Sequence, residues 1–186
     1  MFLKYYQKLD DAITYLFSSV SNEKKLLKSY FSNKKITYID IGTNEGGYLD
    51  FLSSFIKFKK VICFEPIKHL SEKLSTKYSK LNLNNFNLAV SNKNQTKFFY
   101  QYDISSQSSF YKQNDLFKSL KNLKKKFKVK AIKFDSFFRK KEKIDFCKID
   151  VQGEEINVLK GMKKNLKKKN IKLLKIEITF IERYVR

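Results

Sequence analysis

The pattern of apolar and polar positions changes character near residue 35. Before that point Leu9, Ile13, Leu16, Phe17 and Val20 recur at steps of three and four, and Leu26, Leu27, Tyr30 and Phe31 form a second such group. This spacing puts the apolar side chains on one helical face, so residues 1–35 are predicted to be a helical segment. Ser21-Asn22, both good N-cap types, predicts a break between two helices. From Ile36 onward short β-rich runs alternate with helical stretches. Strands are predicted over Ile36 to Ile41, Val61 to Phe64, Phe86 to Val90, Lys97 to Tyr102, Ile144 to Val151 and Ile171 to Phe180. Helices are predicted over Gly46 to Phe58 and Ile67 to Tyr78, and Ile156, Leu159, Met162 and Leu166 mark the face of a third. Such alternation implies βαβ units and a mainly parallel sheet with helices on both faces. Residues 36–186 then form one α/β domain behind an N-terminal helical extension. Ser91 to Lys143, with its serine run and the lysine-rich segment Lys118 to Lys130, is the least regular stretch. It is predicted to be an insertion over the ligand edge of the sheet.

Composition narrows the class. At 42% hydrophobic over 186 residues the chain is too apolar to be disordered and long enough for one core. Its longest apolar stretches, such as Ala12 to Phe17, fall far short of the about 20 residues of a membrane span. No signal peptide is visible at the N-terminus, so a soluble cytoplasmic protein is expected. The net charge of +22 invites a nucleic-acid reading. Yet of 40 basic residues only Arg139, Arg183 and Arg186 are arginine, the residue best matched to phosphate and guanine. The lysine excess reads instead as an AT-rich coding bias spread over the surface. Cys63 and Cys147 sit in apolar runs and read as free core thiols. With a single histidine, His69, and no Cys-x-x-Cys, no metal site is expected.

The scarce glycines locate the chemistry. All five, and the one proline, fall in Asp40 to Gly47, Phe64-Glu65-Pro66, and Asp150 to Gly161. The first segment follows a strand and opens a helix, where Gly42 and Gly46 allow a tight turn and close approach to a ligand. Glu65 ends the next strand, at the place where an acid accepts the two ribose hydroxyls of a bound nucleoside. The loop reads Gly-x-Asn-x-Gly, without the middle glycine that lets backbone touch a pyrophosphate, and Asp40 and Glu45 would repel one. A phosphate-free nucleoside carrying a sulfonium cation suits it better, which favours S-adenosylmethionine over NAD. Methyl transfer to a hydroxyl is helped by a carboxylate in hydrogen-bond reach. Asp150, ending its strand, is the first candidate base, followed by Glu155 and Glu177. A helix cap at Asp150 and a first-turn helix charge at Glu155 are the structural alternatives.

Tyr38-Ile-Asp-Ile-Gly-Thr-Asn-Glu-Gly46, Cys63-Phe-Glu-Pro66, Leu88-Ala-Val-Ser91, and Lys148-Ile-Asp-Val-Gln-Gly-Glu-Glu155 followed by Val158-Leu-Lys-Gly161 resemble the FkbM-type methyltransferase family. The closing Lys175-Ile-Glu177 resembles that family's next strand. The resemblance implies a Rossmann-like class I methyltransferase fold and O-methylation of a small molecule or sugar hydroxyl. It implies cofactor contacts from Asp40, Gly42, Asn44, Gly46 and Glu65, with Ala89 near the adenine and Asp150 and Glu155 at the acceptor mouth. Gln152 stands where the family more often has Glu. The two strands that usually complete the sheet are missing from view before Arg186, which implies an open edge, a covering chain or a truncated product. Two other readings remain open: an RNA ribose methyltransferase using Lys148, Asp150, Lys175 and Glu177, and a non-catalytic cofactor-binding member of the fold.

Overall fold

Five short strands carry the core: β1 (Lys35–Ile41), β2 (Lys57–Phe64), β3 (Leu83–Phe86), β8 (Ile144–Ile149) and β9 (Ile171–Ile176). The structure, a computed structural model, describes residues 20–114, 122–138, 142–178 and 184–185. These five strands form one parallel sheet in the order β3-β2-β1-β8-β9. The carboxyl halves of the central strands are buried and mostly apolar, as strands covered on both faces require. Alternate side chains of β1, β2 and β8 enter two different clusters. Tyr38, Cys63 and Phe146 pack with Leu27 and Phe31, with Leu49 and Leu52 of α2 (Gly47–Ser53), and with Leu74 of α3 (Lys68–Lys77). Ile39, Ile41, Phe64 and Cys147 pack on the other face with Phe134 of α4 (Phe134–Phe137), Val158 of α5 (Glu155–Gly161) and Met162. Helices therefore cover both faces, as the periodicity predicts.

The segment between β3 and β8 builds a second sheet. β4 (Ala89–Ser91), β5 (Gln95–Tyr102) and β7 (Leu123–Lys133) lie in the order β4-β7-β5, with β5 antiparallel to β7. Its inner face, with Phe99, Val129 and Ala131, packs on Ile67 and Leu70. A pair of two-residue strands, β6 (Lys112–Gln113) and β10 (Tyr184–Val185), forms a third, antiparallel sheet. The predicted insertion over the ligand edge is thus largely β structure.

Several boundaries differ from expectation. Residues 20–30 are continuous helix, α1, so Ser21-Asn22 breaks nothing among the described residues. The helix predicted to reach Phe58 ends at Ser53, because Lys57 and Phe58 already belong to β2. The predicted strand over Phe86 to Val90 is two strands in different sheets: Asn87 donates through Nδ2 to the carbonyls of Glu65 and Pro66, and the chain turns there. Ile156 is exposed, while Val158 and Met162 fill the core. The lysine-rich segment from Leu123 onward is the long strand β7. Residues 1–19 and 179–183 lie outside the described residues, and with them much of the predicted N-terminal helix and the end of the last strand. Among the described residues no helix is long and apolar enough to cross a membrane.

Candidate active site

Two adjoining openings lie at the carboxyl ends of β1, β2 and β8, where open α/β sheets bind ligands. The inner chamber is lined by Asn44, Glu65, Ile67, Ala89, Phe99 and Phe110, among others. The outer cleft is lined by Thr43, Tyr48, Lys148, Lys175 and Glu177. Gly42, Asn44 and Asp150 line both. Ser105, Ser106 and Ser108 wall the inner chamber, so the segment after β5 does cover the ligand edge.

The glycine loop is built by backbone geometry. Gly42 has φ +84°, and its N–H donates to the Phe64 carbonyl at 3.0 Å. A Cβ there would collide with the carbonyl oxygen of Asp150, so only glycine lets β1 and β8 close on one another. Asn44, also left-handed at φ +51°, aims its N–H at Glu65 Oε2, 2.7 Å away, and the Ile67 N–H donates to Oε1 at 2.8 Å. Glu65 is only 4% exposed. An ionised carboxylate accepts about four hydrogen bonds, so about two remain for a ligand. Burial outweighs the two amides and pushes the Glu65 carboxyl up to about 7. Ser105 Oγ donates to Asn44 Oδ1 at 2.8 Å, tying the covering segment to the loop.

Two of the residues read as cofactor contacts take other places. Gly46 lines neither opening. It caps α2 at φ +82°, and a Cβ would strike the ring and hydroxyl of Tyr78. That hydroxyl lies 2.7 Å from the Gly46 carbonyl and 2.8 Å from Asp50 Oδ1. Asp40 is fully buried beneath the loop and lines neither opening. Lys148 Nζ stands 3.6 Å from its carboxylate. Burial raises the Asp40 carboxyl above its usual range despite Lys148. Gly42, Asn44, Glu65 and Ala89 do meet at the inner chamber.

The outer cleft gathers charge. Lys148 Nζ donates to Asp150 Oδ2 at 3.0 Å, and Gln152 Nε2 donates to Oδ1 at 2.8 Å. Burial alone would raise Asp150, but Lys148, Glu177 and Gln152 outweigh it and hold the carboxyl low. Burial likewise pulls on Lys148, and the carboxylates of Asp40 and Asp150 keep its ammonium above the usual range. Glu177 shares a hydrogen bond with Asp150, and burial with that neighbour pushes it to about 7. Lys175 Nζ donates to Glu23 Oε1 at 2.5 Å and lies 4.6 Å from the Tyr48 ring centroid; the Tyr48 hydroxyl also donates to Glu23, at 2.5 Å. Helix α1 thereby reaches the cleft wall.

Glu155 is not part of this group. Its two oxygens accept from the N–H groups of Val151 and Gly153, at 3.1 and 2.9 Å, and it lines neither opening. The first-turn structural alternative is what the geometry shows. Sequence reasoning passed over its neighbour Glu154, buried to 1% exposure and held by Ser91, Lys97 and Tyr111 at 2.5, 3.3 and 2.7 Å. Gln152, noted in the sequence only as a departure from the family's Glu, accepts through Oε1 from the Tyr184 hydroxyl at 2.9 Å, and its left-handed backbone, φ +52°, turns the loop. These partners come from distant elements, and no local spacing announces them. Among the described residues no three metal-ligating side chains are arranged to hold an ion, and Cys63 and Cys147 are buried free thiols.

The class is a Rossmann-like α/β domain with paired openings at the carboxyl edge of a parallel sheet. Residues 40–185 match the family model of the methyltransferase FkbM domain, and the chain belongs to that methyltransferase family. A solved structure, the FkbM methyltransferase of Methylobacillus flagellatus KT, is similar at a TM-score of 0.49 and 15% identity over 72% of this chain. The chain spans 30% of that protein. No curated protein matches the sequence.

Proposed function

We propose that the chain transfers the methyl group of S-adenosylmethionine to a hydroxyl of a small molecule or sugar. The observation that carries this reading is the junction at Asp150, which lines both an inner chamber with no cation among the described residues and a charged outer cleft. Among the described residues no lysine, arginine or histidine lines the inner chamber, and Glu65 and Asp150 are its charged groups. That suits a nucleoside with a cationic tail and no phosphate. Ile67, Ala89, Val90 and Phe99 offer the apolar wall a base needs, and Glu65 has accepting capacity left for a ribose diol. Bound there, held by Glu65 and the apolar wall, the cofactor would supply a methyl carbon activated by its sulfonium for transfer to the acceptor oxygen.

The protein's task is then positioning and proton acceptance. Asp150, held ionised by Lys148 and oriented by Gln152, presents negative charge beside the methyl site. Glu177, at about 7, is matched to take the hydroxyl proton at neutral pH, a better-tuned base than Asp150. Tyr48 and Lys175 wall the acceptor side.

A second reading has one specific support. Lys148, Asp150, Lys175 and Glu177 line one cleft, the set expected for transfer to an RNA ribose hydroxyl. Calorimetric titration with S-adenosylhomocysteine tests the common core of both readings, with Glu65→Ala alongside. Production of S-adenosylhomocysteine is then followed with polyol, glycan and RNA acceptors. Turnover with polyols or glycans alone supports the first reading; turnover with RNA alone replaces it with the second. A folded chain that binds no cofactor analogue overturns both.

A further inference from the structure

The outward face of the β5–β7 ribbon serves neither opening. Along β7, Phe127, Val129 and Ala131 turn inward onto Ile67 and Leu70, while Lys126, Lys128 and Lys130 between them are exposed. Their cross-strand partners are Tyr100, Phe98 and Thr96. Two residues of strand advance about 6.8 Å, so the three ammonium-bearing positions form a row spanning about 14 Å. Aromatic rings are interleaved with them. Lys126 Nζ lies 4.3 Å from the Phe98 ring centroid and 5.3 Å from that of Tyr100, and Lys128 lies 5.7 Å from Phe98. Phe98 is 49% exposed, a large ring left to solvent in the middle of the row.

Among the described residues no carboxylate pairs with Lys126, Lys128 or Lys130. Lys97, on the opposite face of β5, is by contrast paired with the buried Glu154. The same ribbon compensates its inward lysine and leaves its outward ones to repel one another. A partner with a regular row of anions relieves that repulsion, and one with flat rings also uses Phe98 and Tyr100. Single-stranded nucleic acid has both features. A lipid surface fits less well, because the face offers one large apolar side chain and interfacial binding needs a broad apolar face.

We propose that this face binds single-stranded nucleic acid, with phosphates along Lys126, Lys128 and Lys130 and bases against Phe98 and Tyr100. Ammonium groups act as point charges and read no base edges, so the binding is indifferent to sequence. The proposal does not depend on the methyl-transfer reading, since no residue of the face lines either opening.

The test is fluorescence anisotropy of a labelled oligouridylate about twenty nucleotides long with the full chain across a salt series. Each phosphate contact on a single strand adds about 0.7 to the slope of log affinity against log salt. Replacing the three lysines together by glutamine is expected to lower that slope by about 2. Lys163, Lys164 and Lys167, replaced by glutamine together, give the control with the same charge change elsewhere and a smaller loss. Phe98→Leu is expected to weaken binding roughly 5- to 150-fold, and oligoadenylate to bind within a few-fold of oligouridylate. Thermal melts of every variant separate lost binding from lost folding. Equal losses in the two triple variants would overturn the proposal by making the attraction diffuse. Binding of heparin or anionic vesicles at this face, with none of the oligonucleotide, would overturn it in favour of another polyanion.

Discussion

Glu65→Ala isolates the central claim about the inner chamber. In the structure the carboxylate is oriented by the N–H groups of Asn44 and Ile67 and lines the chamber with about two acceptor positions to spare. A ribose diol would fill them with two hydrogen bonds to a charged acceptor, each worth about 1.5–3 kcal/mol. Removing both predicts a loss of about 3–6 kcal/mol, roughly a hundred- to ten-thousand-fold in affinity for S-adenosylhomocysteine. The raised carboxyl, about 7, adds a pH signature. Only the ionised form accepts both hydroxyls, so binding releases a proton; affinity rises with pH toward 7 and levels off above it. The unliganded protein shows the opposite slope. With its folded-state pKa raised, Glu65 contributes stability below pH about 4.5 that is lost as pH climbs to about 7, by about 3 kcal/mol. Calorimetry at pH 6, 7 and 8 reads the first effect, and urea unfolding without ligand over pH 4–8 reads the second. A variant that binds within threefold of the parent, or a parent affinity flat across pH, would refute the ribose assignment.

Three further outcomes are expected. Glu177→Gln lowers kcat about 10²–10⁴-fold with little change in cofactor affinity, and the parent's kcat/KM climbs as pH rises through about 7; initial rates across pH check both. Glu154→Ala removes the buried carboxylate that Lys97, Ser91 and Tyr111 share, costing about 3–5 kcal/mol in urea unfolding. Gly46→Ala costs about 1–3 kcal/mol from its left-handed backbone, with more from the Tyr78 ring. A double-mutant cycle with Tyr78→Leu should recover part of that cost, and strict additivity would count against the contact.

The parts legible in the sequence are those fixed by neighbours along the chain. The carboxyl halves of β1, β2 and β8 are buried on both faces, so they read as mostly apolar runs broken by single polar residues such as Asp40 and Lys148. The glycine loop and Glu65 follow at short range. Phe86 to Val90 looked like one strand because apolarity alone does not show that Asn87 is pinned to Glu65 and Pro66 while Ala89–Ser91 pairs with Ala131 to Lys133. Gly46 reads in the sequence as a tight-turn glycine, and its left-handed backbone agrees; the Tyr78 ring that fills the space of a Cβ there comes from 32 residues away and leaves no local signal. Glu154 and Glu155 are adjacent acids at the start of one helix. One reaches across to Lys97 and Tyr111 and the other folds back on its own turn, a choice made by tertiary contacts and invisible to spacing.

Asp40 shows how a residue can matter to a site it does not line. A fully buried carboxylate is costly, and the Tyr38 hydroxyl on its own strand offsets only part of that cost. Its nearest charge is Lys148, at 3.6 Å, and Lys148 is itself nearly buried and 3.0 Å from Asp150. A lysine in that position loses its proton readily unless carboxylates hold it, and two do. Lys148 in turn keeps Asp150 ionised, and an ionised Asp150 is one of the reasons Glu177 sits near 7 instead of in the usual carboxylate range. The charge on β1 thus reaches the cleft through β8 and β9, along strands in register at Asp40 opposite Lys148 and Lys148 opposite Lys175. Asp40 is accordingly best understood as the buried end of the cleft's charge network, and its effect on a ligand passes through Lys148.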